Sequence, residues 1–202
     1  MKKWLVIAPI AAAAAAGAIF ALKGKGGDKA PAAAPAAKSG GKGKDKAFVI
    51  KTPKTGAYSF ASGYKDAKEV TVNVGYDAEK HTFSVVSEGY VADSGDSHVA
   101  VLYASDFAMQ FEYAPYYHGE DFAALEKSVE ESFKNFGKVS FSGVSGICYT
   151  NGGSYCMAFP TGSAADYVLV TVVLMGDDSE EEREKLRTNP EMLAIMNTVT
   201  IS

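Results

Sequence analysis

The chain has 202 residues, of which 47% are hydrophobic and 22% charged, ordinary proportions for a globular protein. Its charge is unevenly divided: residues 1–46 hold nine lysines and two aspartates, a net of +7, while residues 47–202 hold eleven basic and twenty-two acidic side chains, a net of −11. An acidic body excludes nucleic acid as partner, because phosphate binding needs clustered Lys and Arg, and its length is that of one domain able to bury a core without metal or many disulfides.

The first element is the run MKKWLVIAPIAAAAAAGAIFALKGKGG. Lys2 and Lys3 precede an uncharged stretch from Trp4 to Leu22, the pattern of an export signal. As a helix it would span about 28 Å, close to the hydrocarbon core of a bilayer. Residues 1–22 are therefore read as a signal or membrane-anchor helix, with the membrane as a partner through residues 4–22. Ala16-Gly17-Ala18 also has the small-x-small form of a signal-peptidase site, so a cleaved signal and a secreted product form the alternative. More lysines follow the apolar run than precede it, which by the positive-inside rule would retain the body in the cytoplasm. The short Lys2-Lys3 region favours export, and the expected location is the cell membrane, single-pass, with an extracytoplasmic C-terminal domain. Residues 23–46, KGKGGDKAPAAAPAAKSGGKGKDK, have no apolar periodicity and read as a disordered basic linker.

Residues 47–202 form the globular domain. Val70, Val72, Val74 and Tyr76 alternate with Thr71, Asn73 and Gly75, a half-buried strand. YDAEKH turns the chain, and Phe83, Val85 and Val86 open a second strand. HVAVLYA and FAMQFEY make a third and fourth, joined at Ser105-Asp106. Phe122, Leu125, Val129, Phe133 and Phe136 then fall at spacings of three and four, which predicts a helix closed by Gly137. Strands resume at KVSFSG, GICYT and SYCMAF, and DYVLVTVVLM, apolar on both faces, predicts a central strand covered on both sides. Ser179 with Glu182 is a capping box, Asn189-Pro190 opens a further helix, and TVTI closes as a strand. The expected fold class is α+β, a largely antiparallel sheet with helices packed on it.

The order of helix, strand ending at Gly143, hairpin GICYTNGGSYCMAF, long apolar strand, acidic helix and the closing NPEMLAIMNTVTI resembles the PsbP-like family over roughly residues 80–202. Met192 to Met196 and Thr198 to Ile201 match its final helix and strand. The resemblance implies a PsbP-like α/β/α sandwich and a non-enzymatic binding or assembly role, and it carries over no catalytic residue.

Cys148 and Cys156 are the only cysteines. A three-residue loop of Asn151, Gly152 and Gly153 would set them opposite each other, within disulfide reach, and export would favour the bond. The alternative is two buried thiols acting as small hydrophobes. Their spacing is not that of a redox or zinc motif.

No catalytic residue, metal site or cofactor is expected. GVSGI lacks the final glycine of a hydrolase elbow. His81, His98 and His118 read as solvated loop or strand-end residues. DSGDSH lacks the EF-hand pattern and reads as a polar turn. The binding candidates are Tyr113, Tyr116, Tyr117 and His118 in EYAPYYHGED, because tyrosines offer large, rigid contact area with a polar tip, though the same rings also suit capping of the core. Tyr58, Phe60 and Tyr64 pose the same question. The whole reads as a non-catalytic binding or assembly module whose partner is another envelope protein or polymer; the alternatives are a secreted enzyme of unrecognised class and a structural component of a surface complex.

Overall fold

A computed structural model describes residues 47–61, 69–88, 97–115, 121–163, 166–176 and 179–202. Among them the chain forms ten strands and three short helices. The strands are β1 (Pro53–Ala61), β2 (Glu69–Asp77), β3 (Thr82–Glu88), β4 (Ser97–Tyr103), β5 (Phe107–Pro115), β6 (Lys134–Phe141), β7 (Val144–Asn151), β8 (Ser154–Pro160), β9 (Asp166–Leu174) and β10 (Thr200–Ile201). The helices are α1 (Phe122–Ser132), α2 (Glu180–Leu186) and α3 (Pro190–Met196).

These elements make two antiparallel sheets. The small one has the order β1-β2-β10 and the large one β3-β4-β5-β9-β8-β7-β6. Strand β9 is the middle of the seven, as its two-faced apolarity requires: Val168, Val170 and Val172 join one core cluster and Leu169 the other. The larger cluster combines Tyr58, Phe60, Val70, Val72 and Val74 of the small sheet with Leu102, Met109, Phe111, Met157 and Phe159 of the large one. Leu186, Met192, Ile195, Met196 and Val199 from α2, α3 and the segment after it complete it. The smaller cluster lies on the opposite face, where Val129 of α1 meets Ile147, Ala158 and Leu169.

The expected α/β/α sandwich is not what the chain builds. The domain is β-rich, and one of the covering layers is itself a sheet. The reason is local. PKTGAYSFA places Gly56, Tyr58 and Phe60 inward and Thr55, Ala57 and Ser59 outward, so it pairs with β2 along its whole length as a strand. Gly56 allows that layer to close, since a Cβ there would come 2.3 Å from the Phe83 ring. With that face taken by a sheet, only two seven-residue helices remain beside it.

Helix α1 is also shorter than its apolar spacing predicts. It ends at Ser132, and Phe133 is already extended, with φ −119°. Asn135 takes φ +56°, a conformation Asn tolerates, and its amide donates to Glu184 Oε1 at 2.9 Å. A register shift between Lys134 and Gly137 follows. The irregularity turns Phe133 and Phe136 towards the same cluster, a spacing of three that in a regular strand would send them to opposite faces. Hence the bulged strand imitates a helical stripe.

The caps expected at Ser179 and Asn189 form: Ser179 accepts from Glu182 N at 3.3 Å, and Asn189 accepts from Glu191 N and Met192 N. Asp121 adds a third, capping α1 through Ala124 N at 2.9 Å. Among the described residues no helix is long and apolar enough to cross a membrane. The anchor expected at residues 1–22 and the linker at 23–46 lie outside the described residues.

Candidate functional site

Of the proposed aromatic cluster, only Tyr113 is described; Tyr116, Tyr117 and His118 lie outside the described residues. Tyr113 is half-buried at the end of β5 and packs on the larger core, its ring 4.9 Å from that of Phe60. Phe60 and Tyr58 are themselves core residues, and Tyr64 is not described. The aromatic residues that can be followed therefore cap the core between the sheets.

The cysteines do not meet. Asn151 pairs with Ser154, which leaves a two-residue loop, Gly152-Gly153, in place of three residues. Gly152 has φ +59°, the positive value that a two-residue hairpin loop demands. Shortening the loop by one residue slips the register, so Cys148 stands opposite Met157 and Cys156 opposite Tyr149. Because side chains alternate across a strand, the slip sends the thiols to opposite faces of the sheet. Cys148 joins the larger core and Cys156 the smaller, and both are free. The expected disulfide is thus replaced by two buried thiols.

His81 is not solvated. Its side chain is fully buried; Nδ1 accepts from Asp77 N at 3.0 Å, which leaves Nε2 to donate to Glu191 Oε1 at 2.9 Å. This ties the turn after β2 to the first turn of α3. Asp77 accepts in turn from Lys51 N and Glu79 N, and these hydrogen bonds, Lys51 first, hold its carboxyl below the usual range. His98 lies on β4 and GVSGI runs from a turn into β7, so no strand-turn-helix elbow forms.

A polar row runs beneath α1 instead. Neighbouring rungs place Gln110 of β5 beside Thr171 of β9, Thr171 beside Cys156 of β8, and Cys156 beside Tyr149 of β7. Glu112 stands two residues along from Gln110, on the same face, and accepts from Gln110 Nε2 at 2.8 Å. All five side chains are buried: Gln110 is 1% exposed, Thr171 2% and Glu112 9%. Burial pushes the Glu112 carboxyl up to about 7, against the Gln110 amide, which favours the ion. Burial likewise raises the Cys156 thiol to about 12, opposed by the neighbouring Thr171 hydroxyl. The Tyr149 hydroxyl is raised by burial first, then by Cys156, Tyr167 and Glu112. At neutral pH this thiol is not a nucleophile, because the thiolate is the reactive form.

Three atoms in the row have no hydrogen-bond partner: Gln110 Oε1, Glu112 Oε1 and Thr171 Oγ1. The Thr171 hydroxyl lies beside the Cys156 thiol without the geometry of a full hydrogen bond. Each such buried atom costs about 1–3 kcal/mol. FAMQFEY and DYVLVTVVLM place Gln110, Glu112 and Thr171 on one face, but the alternation reads equally as a wet surface. The apolar cluster of α1, with Phe122, Phe133, Phe136 and Tyr167 packed on it, takes up the same side of the large sheet.

Among the described residues, no three or more His, Cys, Asp or Glu side chains gather in the manner of a metal site. An apolar hollow lined by Phe141, Val144, Phe159, Met196, Val199 and Ile201 is too tight for a water molecule. No protein family, curated protein or solved structure matches the chain.

Proposed function

We propose that the protein is an exported, membrane-tethered, non-catalytic binding or assembly module of the cell envelope. The basic, uncharged-then-basic opening of residues 1–46 set against an acidic body supports the tether. The observation that carries the non-catalytic part is geometric. The described groups whose proton affinity burial displaces, among them Glu112, Cys156 and Tyr149, lie inside the domain and are at most 9% exposed, away from a substrate in bulk water. An active site needs convergent titratable groups in an open concave site. Residues Tyr113 to His118 remain the proposed contact segment, with another envelope protein or polymer as partner.

Fractionation of cells expressing the full chain, followed by crosslinking on intact membranes, tests the proposal. Recovery in the membrane pellet, with the acidic body open to protease added from outside and crosslinked to one partner, is the expected result. Recovery of the unprocessed chain as a freely soluble cytosolic protein overturns it.

A further inference from the structure

We infer that the row beneath α1 is an internal binding site for one small monovalent cation, held by Gln110 Oε1, Glu112 Oε1 and Thr171 Oγ1. The three atoms are all oxygens able to accept and all are buried without a partner; Gln110 and Thr171 share a rung of β5 and β9, and Glu112 follows two residues along β5 on the same face. Native proteins leave few buried polar atoms unserved, and three on one face of two paired strands call for an occupant. The chemistry of the set identifies it. An amide carbonyl, a carboxylate and a hydroxyl are hard oxygen ligands, which suit alkali cations rather than zinc or copper. Buried charges are paired or coordinate metals, and among the described residues no Lys, Arg or His forms an ion pair with Glu112. One carboxylate balances one positive charge, so the occupied site is neutral. Gln110 takes part at both ends: Nε2 fixes the far carboxylate oxygen at 2.8 Å and leaves Oε1 for the ion. The titratable groups that feel the Glu112 charge, Tyr58, Tyr149 and Cys156, carry no positive charge.

The full chain is melted at pH 8 in sodium, potassium or N-methylglucamine chloride at one ionic strength. One alkali cation is expected to raise the unfolding midpoint by about 2–4 °C over the bulky organic cation. The gain is expected to vanish in Glu112→Gln. Thr171→Val, which removes one oxygen at nearly constant shape, is expected to raise the half-saturating cation concentration about tenfold and serves if Glu112→Gln does not fold. Equal midpoints in all three salts at pH 8 overturn the site and assign the oxygens to water. A gain that persists in Glu112→Gln, or is untouched by Thr171→Val, overturns it as well.

Discussion

The two faces of the large sheet are built from alternate residues of the same strands and differ in kind. Towards the small sheet, β5, β8 and β9 present Phe107, Met109, Phe111, Met157, Phe159, Val168, Val170 and Val172. Towards α1 the same three strands present Gln110, Glu112, Cys156 and Thr171. The first face is hydrocarbon closed by another sheet. The second sets a polar row beside the smaller apolar cluster of Ala114, Ala158 and Leu169, on which one helix of eleven residues packs. The difference shows how one framework carries two tasks: dispersion and hydrophobic burial on one side fix the strands, and the fixed strands hold costly polar groups in place on the other.

The largest way to break that contrast is Phe111→Ala. Phe111 is fully buried in the apolar face, and its truncation is expected to cost about 3–5 kcal/mol in denaturant unfolding. A loss under 1 kcal/mol would mean that the sheets do not close as described.

The second test turns on pH. The Glu112 carboxyl is at about 7 in the folded protein against an ordinary 4.5, so the native state holds the proton more tightly than the unfolded chain. Stability is therefore expected to fall as pH rises from about 4.5 through 7, by roughly 3 kcal/mol, in a buffer free of alkali cations. Glu112→Gln is expected to remove that fall; an identical slope in the variant would take the buried carboxyl out of the account. Third, Lys138→Ala removes the exposed pair joining β6 to α1 through Glu126 and is expected to cost less than about 1 kcal/mol, which separates the surface of the second face from its interior.

The smallest expected effect is none. Reductant should leave the unfolding midpoint unchanged, because Cys148 and Cys156 lie on opposite faces. A loss of about 2–4 kcal/mol, the usual effect of breaking a disulfide, would restore the three-residue loop and invert one strand.

Much of the architecture is legible in residue order. The middle position of β9 follows from its unbroken apolar run, and the caps at Ser179 and Asn189 follow from side chains that bond their own helix starts. What escapes is what a one-residue step decides. Phe133 and Phe136 carry helical spacing into a bulged strand, and the glycine pair at 152–153 serves a two- or three-residue turn equally well, with opposite outcomes for the thiols. The polar row is hidden for another reason. Alternation along β5 says that Gln110 and Glu112 share a face, but only tertiary packing makes that face an interior.

The place of β9 also governs how the molecule is made. Strands β3 to β5 and β6 to β8 are two meanders that zip locally, but each keeps an open flank until β9 slots between them, and β2 waits likewise for β10. On a ribosome, neither sheet can finish before residues 166–201 have emerged. Until then the nascent chain carries unpaired strand borders, the state most prone to stick to other chains and most in need of a chaperone. It is also a state loose enough to be threaded through a translocation pore. Assembly that must wait for nearly the last fifth of the sequence leaves a wide interval in which the polypeptide is still pliable.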